Sequence, residues 1–155
     1  MEPLVKAAYL LKFGGYIEWP AKAFEAASSP LVIGVLGSDS VADNLVQNAN
    51  GRTVNGRTVE VRRLRHEDTP TGVHILFAAK SERARLNELL PRLKGLPVLV
   101  VGDEEDLSGS TINFVIVDNH VRFDVSLTGT DANGFKISSR LLSVARKVVT
   151  AKPAS

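Results

Sequence analysis

The chain has 155 residues, 44% hydrophobic and 23% charged, which suits one globular domain burying roughly 70% of the surface its unfolded form exposes. Its 19 basic and 17 acidic residues leave a formal charge of +2, too near balance to mark a nucleic-acid or membrane-surface binder. The absence of cysteine excludes disulfides, thiolate nucleophiles and thiolate metal sites, and no apolar run approaches the ~18 residues that cross a bilayer.

The predicted elements begin with a helix over 3–15, where Leu4, Ala7, Ala8, Leu11 and Phe13 recur near helical spacing and Gly14-Gly15 supply a stop. Leu31 to Leu36 is a continuous apolar run between Pro30 and Gly37, as expected of a buried strand. Ser38-Asp39-Ser40 then offers caps for a helix over about 40–48. Asn55-Gly56 between Thr53-Val54 and Thr58 to Val61 signals a hairpin, because both turn positions favour left-handed backbone. Val73 to Phe77 reads as a second buried strand after the turn Thr69-Pro70-Thr71-Gly72. A helix over about 82–94 follows, with Leu86, Leu89, Leu90 and Leu93 on one face, and Pro97 to Val101 is a third apolar strand.

Ile112 to Val117 and Val121 to Leu127 flank Asp118-Asn119-His120 as a tight antiparallel hairpin. A last helix is predicted from about Ser139, with Leu141, Leu142, Ala145, Val148 and Val149 forming its stripe. Strands alternating with helices imply parallel pairing in the first two thirds. The expected fold is therefore a single α/β domain over 1–150, with a mixed, mostly parallel sheet, a C-terminal antiparallel hairpin and helices on both faces. Residues 151–155 are expected to be a frayed tail.

Among residues that carry chemistry, Trp19 either presents an aromatic anchor or closes the core where the first helix has ended. Ser138-Ser139, with Lys136, Arg140 and Arg122, either bind an anion at a helix start or form an ordinary serine cap among solvated cations. His74 inside an apolar strand reads as a core histidine bonded to a neighbour, and with His66 and His120 far apart in sequence no metal site or cofactor is expected. Asp103-Glu104-Glu105-Asp106 lacks the ligand spacing of a calcium loop, and Gly34 to Ser40 completes neither nucleotide motif. Arg52, Arg57, Arg62, Arg63 and Arg65 cluster around the first hairpin, as on a solvated sheet edge. No serine–histidine–acid set or acidic dyad stands out, so an enzyme is not expected; a hydrolase using His74 or His120 is the least favoured reading.

Several segments together resemble the YfiR family: Glu18-Trp19-Pro20, Val35-Leu36-Gly37, His74-Ile75-Leu76-Phe77, Leu99-Val100-Val101 with Asp103, Ile112-Asn113-Phe114, Arg122-Phe123-Asp124-Val125, and Ile137-Ser138-Ser139-Arg140-Leu141-Leu142 with Ala145. The resemblance runs almost the full length and implies a small periplasmic α/β regulator. The best-known member of that family restrains a membrane-bound diguanylate cyclase by binding its periplasmic part. It also implies a homodimer and a mature domain whose leader peptide is not part of this sequence; the residues themselves offer Trp19, Arg122, Lys136, Ser138, Ser139 and Arg140 as the partner or ligand surface. A periplasmic sensor or carrier of a small anionic or nucleotide-like ligand is the alternative. Gly34 and Val73 depart from the pattern, standing where many relatives carry cysteines that join neighbouring strands; the resemblance implies that these two positions face each other.

Overall fold

Side chains that alternate along three buried strands feed two separate cores, one on each face of a single eight-stranded sheet. On β2 (Leu31–Leu36), Ile33 and Val35 enter one core while Val32 and Leu36 enter the other. β5 (Ile75–Ala78) and β6 (Leu99–Gly102) divide in the same way, Ile75, Phe77, Leu99 and Val101 to one side, Leu76, Ala78 and Val100 to the other. A strand buried on both faces must read as an unbroken apolar run, and these do. The computed structural model describes residues 2–65, 67–104, 110–127 and 134–149.

The larger core lies beneath α1 (Glu2–Gly15), α2 (Asp39–Ala49) and α4 (Ser139–Val144). Its aromatic centre joins Tyr9 and Phe13 of α1 to Phe114 on β7 (Ile112–Val117) and Phe123 on β8 (His120–Ser126), with ring centroids 5.1–6.1 Å apart. The smaller core lies under α3 (Arg83–Leu93), whose Leu86, Leu89 and Leu93 meet Val32, Val73, Leu76 and Val100. Helices thus cover both faces.

The sheet order is β10-β8-β7-β6-β5-β2-β4-β3, with β3 at Thr53–Val54, β4 at Arg57–Leu64 and β10 at Lys147–Val149. Pairing is parallel from β4 through β2, β5 and β6 to β7, and antiparallel in the hairpins β3–β4 and β7–β8. Asn55 and Gly56 hold φ values of 51° and 80°, the left-handed pair that their sequence signals. Asp118 and Asn119 do the same at 50° and 64°, so the second turn has two residues and His120 already belongs to β8.

The expected long last helix is corrected. α4 stops at Val144, Ala145 is extended (φ −68°, ψ 145°), and residues 147–149 form β10, parallel to β8. Two forces account for the change. Val148 and Val149 are β-branched and suit a strand, and the Arg146 guanidinium reaches the buried Asp124 carboxylate on β8, its Nε donating at 2.7 Å. Residues 151–155 lie outside the described residues.

Candidate functional site

The chain leaves α1 through Tyr16, whose amide closes the helix on the carbonyls of Lys12 and Phe13, and enters β1 (Ile17–Glu18). β1 pairs antiparallel with β9 (Lys136–Ile137), Ile17 opposite Ile137 and Glu18 opposite Lys136. This small ladder, further tied by the Ser138 amide to the Tyr16 carbonyl at 2.8 Å, carries the segment before α4 alongside the segment after α1. Trp19, Lys136, Ser138, Ser139 and Arg140 are therefore assembled in one region. More than one hundred residues separate Trp19 from the other four, and the ladder brings the two segments together.

Trp19 is half-buried, tilted against Phe135 and edge-on to Phe24 and His74 at ring-centroid distances of 5.8, 6.3 and 5.8 Å. This is the core-closing arrangement. Its indole Nε1 is buried yet meets no acceptor among the described residues, an orphan donor of the kind that costs about 1–3 kcal/mol. Ser138 acts as the serine cap of α4, its hydroxyl accepting from the Arg140 amide at 3.1 Å. Lys136, Ser139 and Arg140 are exposed beside it.

Arg122 is placed elsewhere. It is exposed on β8 and borders a shallow groove with Glu2, Val5 and Tyr9 of α1 and the turn residues Asp118 and Asn119. Neither Lys136 nor Arg140 borders that groove.

His74 joins three elements. Its Nδ1 accepts from the Val32 amide at 2.9 Å, and Nε2, 2.8 Å from the Ala23 carbonyl, donates to it. That pairing requires the neutral Nε2–H tautomer, and burial holds the imidazole below its ordinary value of 6.5. The Ala23 bond pulls the other way, while the guanidinium groups of Arg57 and Arg62 add to the depression. As expected for a core histidine, both nitrogens are engaged, leaving none for a metal or substrate. His120 begins β8 in an exposed position, and His66 lies outside the described residues. Among the described residues no group of three or more acidic or histidine side chains is arranged to hold a metal.

Three of the five hairpin arginines are committed to local structure. Arg57 lies 3.6 Å over the Phe24 ring and donates to the Ala26 and Ser29 carbonyls; Arg62 pairs with Glu60, and Arg63 with Asp43. Neither the Arg57–Phe24 platform nor the role of Phe135 was visible in the sequence, because nothing local marks a ring as the seat of a distant side chain. The described half of the acidic loop is likewise engaged. Asp103 binds the buried Lys6 ammonium at 2.6 Å, and Glu104 meets Arg83 at 3.1 Å. Glu105 and Asp106 lie outside the described residues.

The chain is thus a single α/β domain whose strand-linked corner gathers an aromatic ring and exposed cations, and no described helix is long and apolar enough to cross a membrane. Residues 4–146 match the family model described as YfiR/HmsC-like, and the chain belongs to that family, a regulatory one whose members are periplasmic. A comparison with curated proteins found no match.

Proposed function

We infer that this chain is a periplasmic regulatory protein that binds the extracytoplasmic part of a membrane diguanylate cyclase and holds it in its inactive state. The observation that carries this reading is the family match over residues 4–146. It is supported by the ladder-built corner, where Lys136 and Arg140 stand exposed beside Trp19 on a strand pair and a serine-capped helix start. Repression then needs nothing more than tighter binding to the inactive conformation of the partner than to the active one.

The test is capture of membrane proteins from detergent extracts of the source cell on the immobilised chain, followed by cyclase assays of the recovered partner. A diguanylate cyclase should be retained and its activity should fall as the chain is added. Lys136→Ala with Arg140→Ala should weaken capture at an unchanged melting temperature. Arg122→Ala, in a separate groove, tests whether the partner reaches the hairpin as well. Recovery of no membrane signalling protein, or undiminished capture by all three substitutions combined, would reject the reading or its surface respectively.

A further inference from the structure

A cleft of about 430 Å³ opens where the turn before β5, the end of α3 and the 3₁₀ turn Ala21–Ala23 converge at the amino-terminal ends of the parallel strands. Its volume falls within the range of sites for small organic ligands. The walls are apolar, made by Pro70, Val73, Leu93, Leu96, Pro97 and Val98. Leu96 is 46% exposed at the lip although it is a large aliphatic side chain. The ring of His74 forms part of the lining, but both its nitrogens are bonded to backbone, so the histidine shapes the cleft and offers no polar contact.

Charge at the cleft has one sign. Among the described lining residues the charged side chains are Lys22 and Arg92; both are exposed, and neither forms an ion pair among the described residues. The exposed arginines Arg62 and Arg63, by contrast, are paired with Glu60 and Asp43. Two cations without an ion pair among the described residues, at the mouth of an apolar cleft, form a complementary pattern for a molecule with an apolar body and one anionic head. A guanidinium adds the geometry to hold a carboxylate by two parallel bonds.

We propose that this cleft binds a small amphiphilic carboxylate, its apolar body against Val73, Leu93 and Leu96 and its head between Lys22 and Arg92. The His74 tether to the Ala23 carbonyl fixes the turn that carries Lys22, so the histidine is a positioning residue for the cationic rim. The site is separate from the Lys136–Arg140 surface, and its failure would leave the regulatory reading untouched.

Octanoate is the probe. Trp19, the single tryptophan, lies 5.8 Å from the His74 ring and gives a fluorescence signal next to the cleft. Titration into the full chain should produce a saturable change, with amide shifts confined to residues 22–23, 69–74 and 92–98. Acetate, which lacks the body, and octylamine, which carries the opposite charge, should produce neither at the same concentrations. Lys22→Glu with Arg92→Glu should weaken octanoate binding by roughly tenfold or more, as expected for loss of charge-assisted bonds. Both side chains are exposed, so the melting temperature should hold; if it falls, the same weakening must appear in the milder Arg92→Gln. Binding of octylamine as tight as octanoate, an unchanged affinity in the charge variants, or shifts centred elsewhere would overturn the proposal.

Discussion

At the scale of single residues, His74 shows how a buried polar side chain can organise its surroundings. It is 7% exposed and bonds two backbone groups from segments far from it in sequence. His74→Leu keeps the volume but strands the Val32 amide and the Ala23 carbonyl, and should destabilise the domain by about 2–4 kcal/mol in urea titrations. The pH dependence has a definite sign. The folded-state value is depressed, so the unfolded chain binds the proton more readily; the contribution is fully present above about pH 6.5 and is lost as pH falls through the lowered folded value. Stability measured from about pH 7 down to 5 should therefore decline more steeply in the parent than in His74→Leu. Parallel curves would show that another group carries the acid sensitivity. The core role of this histidine was legible in the sequence because its neighbours Val73 and Ile75–Phe77 are all apolar. Its two partners were not, since both are backbone atoms that no residue type announces.

At the scale of elements, the buried strands and long helices were legible because their patterns are local: unbroken apolar runs, leucines at helical spacing, and Asn55-Gly56 at a turn. Strand β10 was not. Over the ten residues after Ser139 the apolar spacing satisfies a helix, and what decides the matter is an open edge of β8 and the Asp124 carboxylate waiting on it. Asp124→Ala should cost about 2–3 kcal/mol, less than for a fully buried pair because Arg146 retains 30% of its side-chain exposure. A double-mutant cycle with Arg146→Ala should show coupling of about 1 kcal/mol or more, and purely additive losses would argue against the pair as the latch of β10. The resemblance-based register of β2 against the turn before β5 has a check of its own. Gly34 is registered against Leu76 and Val73 precedes β5, yet a β-carbon on Gly34 would lie 3.2 Å from both Val73 γ-carbons, so the two side-chain positions touch, with Leu64 at 3.0 Å as the neighbour that must yield. Gly34→Cys with Val73→Cys should oxidise readily and raise stability by about 2–4 kcal/mol, less the lost Val73 packing. Two free thiols after air oxidation, by thiol titration, would mean that the strand geometry does not suit a bridge.

For the whole molecule, both the α/β class and the mixed sheet followed from the order of elements, whereas the corner that gathers Trp19, Lys136 and Arg140 depends on a ladder of two residues per strand, too short to leave a pattern. Assembly is the property that this scale adds. Val144 is 59% exposed on α4 and Val149 41% on β10, the outermost strand among the described residues, where a second copy would find apolar surface at a sheet edge. A homodimer through this edge predicts a concentration-dependent mass by light scattering, shifted to monomer by Val144→Asp without loss of the fold. A monomer at high micromolar concentration in the parent would rule it out.

The late position of β10 also imposes an order in time. β10 contributes no residue to the buried core, whereas β8 carries Phe123 and Val125, so the core can close while one flank of β8 is still bare. Docking of β10 and protection of that flank from strand pairing are then the same event. A nascent chain interrupted before Arg146 has built nearly all of its core and still lacks the piece that keeps it apart from its neighbours.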